Sequence, residues 1–421
     1  VVKLLERANV ENIFSQYFEQ ETVFSNKTVL SSDFIPDKIV HREAEISQIS
    51  YMLAPVLKGY KPNNVFIYGT CGTGKTICTN FILNQLIGVS KKSKSNLKVI
   101  YVNCKMKKVA DTEYRLFAKF LNELEAPVPD TGLPTDVIIR KFFETVDKKK
   151  QNLIIVLDEI DTLIRKVGDD FLYNLARANT ELKNSTVSII GITNDLSFRD
   201  WLDQRIKSSL SEEEVLFKPY DAVQLRDILS ERVSAGFRHG IISDSIINKC
   251  AAIAAQEHGD ARRALDLLRV AGEIAERSAS TLITEEHIDQ AHKKLDQDRV
   301  GETIKTQPRQ SQAVLYSIIK LEERKNAGKT SSNGKNNGKW TDSRLLTGNV
   351  YEEYAKICTE NNLSVLTQRR ISDLIGELDM LGIINAKVIS KGRHGRTREI
   401  SLAITSSILE KTHKTLFDIF G

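Results

Sequence analysis

Asn64–Thr76 reads NVFIYGTCGTGKT, an apolar β-rich run that passes directly into Gly69, Thr70, Cys71, Gly72, Thr73, Gly74, Lys75 and Thr76, with an apolar helical pattern from Ile77 onward. Glycines at this spacing let the backbone wrap closely around phosphate oxygens and aim its N–H groups at them. Lys75 then reaches the β and γ phosphates, and Thr76 offers a hydroxyl to Mg²⁺. A Gly-rich turn carrying a solvated lysine would explain the loop alone. It would not explain a buried strand before the loop and a helix after it, in the order that phosphate binding requires. The cofactors this chemistry calls for are ATP or ADP with Mg²⁺.

A second segment, LIIVLDEID, is another buried strand, and it delivers Asp158 and Glu159 at its C-terminal end. Ligands of open α/β sheets bind at that edge. There Asp158 can hold Mg²⁺ through its water shell, and Glu159 can polarise a water for in-line attack on the γ phosphate. The run Val187–Thr193 ends in Asn194, a neutral amide suited to orienting the same water. Farther on, GDARRAL opens a helix with Asp260 as its cap and Arg262 and Arg263 in its first turn. Cations are unfavourable at a helix N-terminus, so this pair asks for an anion. A surface salt bridge would suffice, but a γ phosphate fits better beside the other residues.

Several elements must position these side chains. Short β-rich runs at Asn64–Tyr68, Val99–Val102, Leu153–Leu157, Val187–Thr193 and Val215–Phe217 alternate with amphipathic stretches. That alternation predicts an α/β core, a parallel sheet with flanking helices. From Ala222 to about Gln297 only helical patterns follow, which predicts an all-α domain. The expected division is a tail at 1–15, a nucleotide-binding domain at 16–220, a helical lid at 221–304 and a third domain at 305–421. Within the third domain the polar stretch Asn326–Lys339 (NAGKTSSNGKNNGK) is expected to be a disordered basic loop.

Composition narrows the function classes. Of 421 residues, 41% are apolar and 27% charged, which is ordinary for a globular protein. No apolar run approaches the ~20 residues needed to cross a bilayer, and no secretory signal is visible, so a cytoplasmic protein is expected. Cys71, Cys78, Cys104, Cys250 and Cys358 have no close-paired spacing, against a zinc site or a disulfide framework. The net charge of +5 is uneven: residues 1–304 carry −2 and residues 305–421 carry +7. A nucleic-acid partner for the last quarter becomes plausible.

Pattern supports that partner. Thr367–Gly382 (TQRRISDLIGELDMLG) predicts a helix whose apolar positions Ile371, Leu374, Ile375, Leu378 and Leu381 leave Gln368, Arg369 and Arg370 exposed in the first turn, where with Thr367 they are candidate DNA contacts. The runs Ile383–Ser390 and Thr397–Leu402 then flank Lys391, Gly392, Arg393, His394, Gly395 and Arg396, a hairpin tip rich in cations. Helix followed by basic hairpin is the outline of a winged helix. Such domains also dock proteins, but Lys387, Lys391, Arg393, Arg396 and Arg398 are interrupted by no acid, which favours DNA.

Taken together these residues resemble the AAA+ ATPases, and in detail the archaeal replication initiators related to the origin-recognition-complex and cell-division-control subunits of eukaryotes. The resemblance runs over nearly the whole chain. It includes Ile35-Pro36-Asp37 with His41-Arg42-Glu43, Ile190–Asp195 (IGITND), Arg205–Leu210 (RIKSSL), Pro219-Tyr220 and His258–Leu268 (HGDARRALDLL). It implies an AAA+ core, an all-α lid and a C-terminal winged helix. By the same resemblance Asn194 is sensor 1, Arg262 is sensor 2, Tyr220 joins the phosphate loop in binding nucleotide, and Arg205 completes a neighbour's site or organises its own. The family usually has Pro before that arginine, where this chain has Gln204. An additional DNA-touching helical element corresponds to Asp111–Val146, with Pro134 where the family usually has Ser.

The function so implied is that of a slow, Mg²⁺-dependent ATPase that binds double-stranded origin DNA. Its nucleotide state would control recruitment or loading of a replicative helicase of the MCM type. The resemblance allows paralogous initiator subunits as further partners, and the expected location is the cytoplasm, in association with the nucleoid. Two other classes compete: a branch-migration motor, which also joins an AAA+ core to a winged helix, and a regulator that uses nucleotide only as a structural ligand. Lys75, Glu159, Asn194 and Arg262 speak against the second.

Overall fold

The computed structural model describes residues 15, 18, 21–93, 95–105, 112–129, 132–210, 212–330, 345–390, 396–404 and 406–421, with the backbone alone at 201, 326–330, 390, 396, 406 and 407. The chain forms two compact units, Val1–Ala291 and His292–Gly421.

In the first unit, β1 (Asn64–Gly69), β2 (Leu97–Asn103), β3 (Asn152–Asp158), β4 (Thr186–Thr193) and β5 (Glu212–Phe217) make one parallel sheet in the order β2-β3-β4-β1-β5. Each strand is the expected one, extended by a residue or more. Alternate residues feed two cores, because successive side chains of a strand point to opposite faces. Val65, Ile67, Ile154, Val156, Ile190 and Ile192 face the core formed with α1 (Glu43–Leu53) and α2 (Lys75–Ser93). Phe66, Tyr68, Leu153, Ile155, Leu157 and Ile189 face the other. That second core is closed by α3 (Glu113–Glu123), α4 (Thr135–Lys148), α5 (Ile160–Val167) and α6 (Asp170–Glu181), with Phe117, Phe120, Phe142 and Phe143 packed ring against ring. A one-turn helix α7 (Phe198–Trp201) and α8 (Gln204–Leu210) precede β5. Both faces of the sheet are covered, so its inner strands read as unbroken apolar runs.

The helices α9 (Ala222–Gly236), α10 (Asp244–Gln256) and α11 (Ala261–Arg277) follow without a strand among them. Asp221 and Gln224 start α9 with a reciprocal capping box. An arm at 21–34 runs along this helical domain. Ser25 and Asn26 donate their N–H groups to Gly236 O (2.9 and 3.1 Å), and Arg238 N donates to Val23 O (3.1 Å). The Phe24 ring lies 4.8 Å from that of Phe237, over Gly272, where any Cβ would sit 2.5 Å from it.

α12 (Glu285–Thr306) leads into the second unit. There α13 (Arg309–Thr330), α14 (Thr347–Glu360), α15 (Gln368–Met380) and α16 (Ser406–Phe420) pack on an antiparallel sheet of β6 (Leu345–Leu346), β8 (Arg396–Leu402) and β7 (Ile384–Ser390) in the order β6-β8-β7. Its core holds Tyr316, Tyr354, Ile371, Leu374, Ile375 and Leu378. Three expectations change. α13 runs to Thr330, so the stretch expected to be a loop begins as helix, and 331–344 lie outside the described residues. Leu381 is 46% exposed, because α15 ends at Met380 and Leu381 falls in the turn at Gly382 (φ +68°), from which the chain re-enters the core at Ile383 and Ile384. Arg398 does not project along a wing. Its guanidinium folds back to donate to Ser372 O of α15 at 3.0 Å.

Candidate nucleotide site and nucleic-acid interface

Strand order decides where the chemistry collects. β1 lies between β4 and β5, and β3 lies against β4, so the phosphate loop, Asp158 and Asn194 emerge side by side at one sheet edge. A cavity of about 490 Å³ opens there. Gly72, Thr73, Gly74, Lys75 and Thr76 line it, as do Asp158, Glu159, Asn194, Tyr220 and Arg262. Ile35, Pro36, Ile39, Val40, Ile228 and Leu265 supply the apolar part of its lining, with Asp33, Lys38 and Glu231 from the same segments. Gly69, Thr70 and Cys71, also expected to bind nucleotide, start the loop but are not among the residues that line the cavity. Arg205 is not part of it: that side chain is 79% exposed on α8 and pairs with Asp203 at 3.1 Å.

The loop conformation depends on glycine. Gly72 and Gly74 have φ of +72° and +93°, in the left-handed region that costs other residues. A Cβ on Gly74 would stand 2.7 Å from Tyr220 Oη, and one on Gly72 would stand 1.7 Å from Asp260 Oδ1. The start of α11 therefore rests on the phosphate loop, and Ala261 N donates to Gly72 O at 3.1 Å. Asp260 is the cap read from sequence, accepting from Arg262 N (2.8 Å) and Arg263 N (3.3 Å). The two arginines part company. Arg263 pairs with Glu257 at 2.8 Å, the salt-bridge alternative, whereas Arg262 lines the cavity with Nη1 3.8 Å from Cys71 Sγ.

Lys75 Nζ donates to Gly69 O (2.9 Å), Thr70 O (2.7 Å) and Asn194 Oδ1 (2.9 Å), which joins the two expected site residues directly. Burial, aided by the charge of Arg262, holds its amine down at about 8. Asp158 is buried, and its Oδ2 accepts from Thr76 Oγ1 at 3.0 Å and from Tyr101 Oη at 2.5 Å. No cation among the described residues lies within ion-pair distance of it. A buried carboxylate countered by hydroxyls alone, facing a phosphate loop, has the donor set that suits Mg²⁺. Glu159 sits at φ +57° and lies 3.6 Å from Lys105. Thr70 Oγ1 is buried without a hydrogen-bond partner at the base of the loop.

Three residues important to this geometry carried no sequence signal of their own role. Arg42, buried, donates to Thr73 O (3.1 Å) and Lys218 O (2.5 Å), with its guanidinium 3.9 Å from the Tyr220 ring centre. It keeps Tyr220 against the loop, and burial pushes that phenol up to about 12. Tyr101 reaches Asp158 from the neighbouring strand. Arg232, on α9, donates to the carbonyl oxygens of Val29 and Phe34. Each contact joins segments distant in sequence, so only the folded chain shows them.

In the second unit Thr367 caps α15 by accepting from Arg370 N, and Gln368 and Arg369 are exposed at its start as expected. They line a shallow depression with Thr347, Ser372, Val388, Thr397 and Arg398. Arg370 is turned along its own helix toward Asp373 and Glu377, at 3.9 and 3.6 Å. Lys391, Arg393 and His394 lie outside the described residues, as does the side chain of Arg396. β7 and β8 pair up to Ser390↔Arg396, and residues 391–395 lie outside the described residues.

Known families match each part of this layout. Models of an AAA domain, a Cdc6 AAA+ ATPase-type lid domain and a CDC6 C-terminal winged helix domain match residues 59–202, 226–293 and 302–412. The ORC1-type DNA replication protein of Thermococcus onnurineus is 50% identical over 400 residues, covering 94% of this chain and 92% of that protein. The chain belongs to the ORC1-type DNA replication protein family. ORC1-type protein 1 of Methanosarcina mazei is 46% identical over 415 residues, 99% of this chain and 95% of its own. Among solved structures, the Aeropyrum pernix ORC1 protein in complex with DNA superposes with a TM-score of 0.78 at 40% identity, covering 94% of this chain and 98% of that one. Cdc6p of Pyrobaculum aerophilum, at 19% identity and a TM-score of 0.56, shares the fold. The AAA+ core, all-α lid and winged helix expected from sequence are therefore the architecture of this ORC1-type chain. Among the described residues no helix is long and apolar enough to cross a membrane.

Proposed function

We propose that the protein is an ATP-dependent replication initiator that binds double-stranded origin DNA and, through its nucleotide state, controls recruitment or loading of the replicative helicase. The observation that carries the nucleotide half is the single cavity joining Lys75, Asp158, Glu159, Asn194 and Arg262. The base occupies the apolar part between Ile35, Ile39 and Leu265, and the phosphates extend along Gly72–Thr76. Lys75 exchanges its bonds to Gly69 O and Thr70 O for phosphate oxygens, because an anion is the better acceptor for a buried ammonium. Thr76 and Asp158 would hold Mg²⁺, which supplies charge neutralisation on the phosphates when bound. Glu159 takes the proton of the attacking water, Asn194 orients that water, and Arg262 steadies charge from the lid side. Arg205, exposed and outside this cavity, serves the site of an adjoining initiator subunit.

The DNA half rests on the relative solved with DNA at 40% identity and on the exposed Gln368 and Arg369. In this reading Thr367, Gln368, Arg369 and Arg370 open the groove-facing helix, and the cations Lys391, Arg393 and Arg396 with His394 follow the phosphate backbone. ATP acts as a switch, so turnover is slow and duplex DNA stimulates it little. The deciding experiment compares Lys75→Ala with Glu159→Gln. The first loses nucleotide binding, while the second binds as the parent does and no longer releases phosphate. Parent-like phosphate release by Glu159→Gln would remove Glu159 from the chemistry.

A further inference from the structure

The apolar part of the cavity lining is built from a segment with little rigidity of its own. Ile35, Pro36, Ile39 and Val40 belong to no helix or strand, yet they make up much of that wall. What holds them lies on the lid. Arg232, eleven residues into α9 and only 8% exposed, donates from Nη1 to Val29 O and from Nη2 to Phe34 O, both at 3.3 Å. Its guanidinium lies 4.9 Å from the centre of the Phe34 ring. The two carbonyls bracket the turn between the arm and the wall, and Arg232 also borders the cavity beside Ile228. Among the described residues no carboxylate lies within ion-pair distance of it. Burying an unpaired guanidinium is costly, and an apolar residue would fill the position without that cost. What the arginine adds is a fork that fixes two backbone carbonyls at once, which a lysine ammonium does less well.

From this geometry we infer that Arg232 is a positioning residue for nucleobase binding, holding the Ile35–Val40 wall in place from the lid. It acts on the base rather than on the phosphates, whose contacts come from Gly72–Thr76. The arm then forms a continuous tether. Upstream it is zipped to Gly236 and Val23 is anchored by Glu276 Oε1 at 3.1 Å, downstream it becomes the wall, and Arg232 sits at the junction. A base pressed against the wall is thereby felt by α9.

The inference rests on the nucleotide reading above, so its test separates the two. Equilibrium affinities for ATP and for inorganic tripolyphosphate are measured on the full chain and on Arg232→Met, Arg232→Lys and Phe34→Leu. If the parent binds neither ligand, the nucleotide reading itself fails. If it binds ATP more tightly, the difference reports the base and sugar, and Arg232→Met should weaken ATP about tenfold, the cost of ordering a loosened wall on binding. Its tripolyphosphate affinity should remain within about twofold of the parent, since the phosphate contacts are intact. Arg232→Lys should recover part of the loss. Phe34→Leu keeps the carbonyl and removes the ring, so it gives a smaller loss in the same direction even if the methionine variant folds poorly. An unchanged ratio of the two affinities in all three variants, or an equal loss for both ligands, overturns the inference.

Discussion

Gly72→Ala tests the contact between phosphate loop and lid without touching a charged side chain. The residue has φ +72°, and a Cβ there would lie 1.7 Å from Oδ1 and 2.1 Å from Cγ of Asp260. No rotation of the methyl relieves that overlap, so Asp260 must leave. In leaving it gives up Arg262 N and Arg263 N, the two helix-end donors it caps. Loss of a cap costs about 1 kcal/mol, and a left-handed alanine about another 1 to 2 kcal/mol, giving roughly 2 to 3 kcal/mol in all. Urea denaturation of the nucleotide-free protein, followed through the first unit, reads this as a lower midpoint. The mechanism predicts non-additivity. Asp260→Gly costs only a few tenths of a kcal/mol as a cap and clears the space, so the double variant should keep just the backbone strain. A double variant destabilised by the sum of the two single changes would refute the steric account.

Three further outcomes are expected. Tyr101→Phe removes one of two hydroxyl donors on Asp158 Oδ2, so the gain in nucleotide affinity on adding Mg²⁺ should shrink by about 1 kcal/mol while affinity in EDTA holds; titrations with and without metal check this. Lys75, held at about 8 by burial against 10.5 in the unfolded chain, binds fewer protons folded than unfolded between those values. Nucleotide-free protein therefore gains stability as pH rises through that window, while affinity for the phosphate anion weakens above pH about 8; denaturation and binding at pH 7 and 9 (about one unit either side) should move in opposite directions. Arg369→Ala should cost origin duplexes roughly 1 to 3 kcal/mol more than scrambled ones, measured by anisotropy at fixed salt, and an equal loss on both would make Arg369 a backbone contact.

The sheet and its site were legible because both follow from local pattern. Runs such as LIIVL are apolar throughout only when both faces of a strand are covered, and the acids that follow mark the ligand edge. The glycine spacing marked Gly72 and Gly74 as the turn that lines the candidate site, but the reason for Gly72 was not legible, since Asp260 lies far along the chain. The separation of Arg262 from Arg263 depends on which side of α11 faces Glu257, a matter of packing. Arg42, Tyr101 and Arg232 act through backbone carbonyls or a neighbouring strand, and no residue spacing encodes such partners. At the other end, helical periodicity placed Leu381 in the core, whereas the helix stops one residue earlier and the rule ceases to apply.

Arg42 also determines where the lid can pivot. By gripping Thr73 O on the phosphate loop, Lys218 O after β5 and the face of Tyr220, it welds the connector leaving the sheet to the body of the ATPase core. Gly259 presses on the same connector, with Tyr220 N donating to its carbonyl oxygen at 3.3 Å. A swing of α9–α11 is then hinged no earlier than the joint between Tyr220 and the capped start of α9 at Asp221. The start of α11 rests on Gly72 beside that joint, so a shift of Gly72 against Asp260 is carried to the far end of α11 as a larger movement.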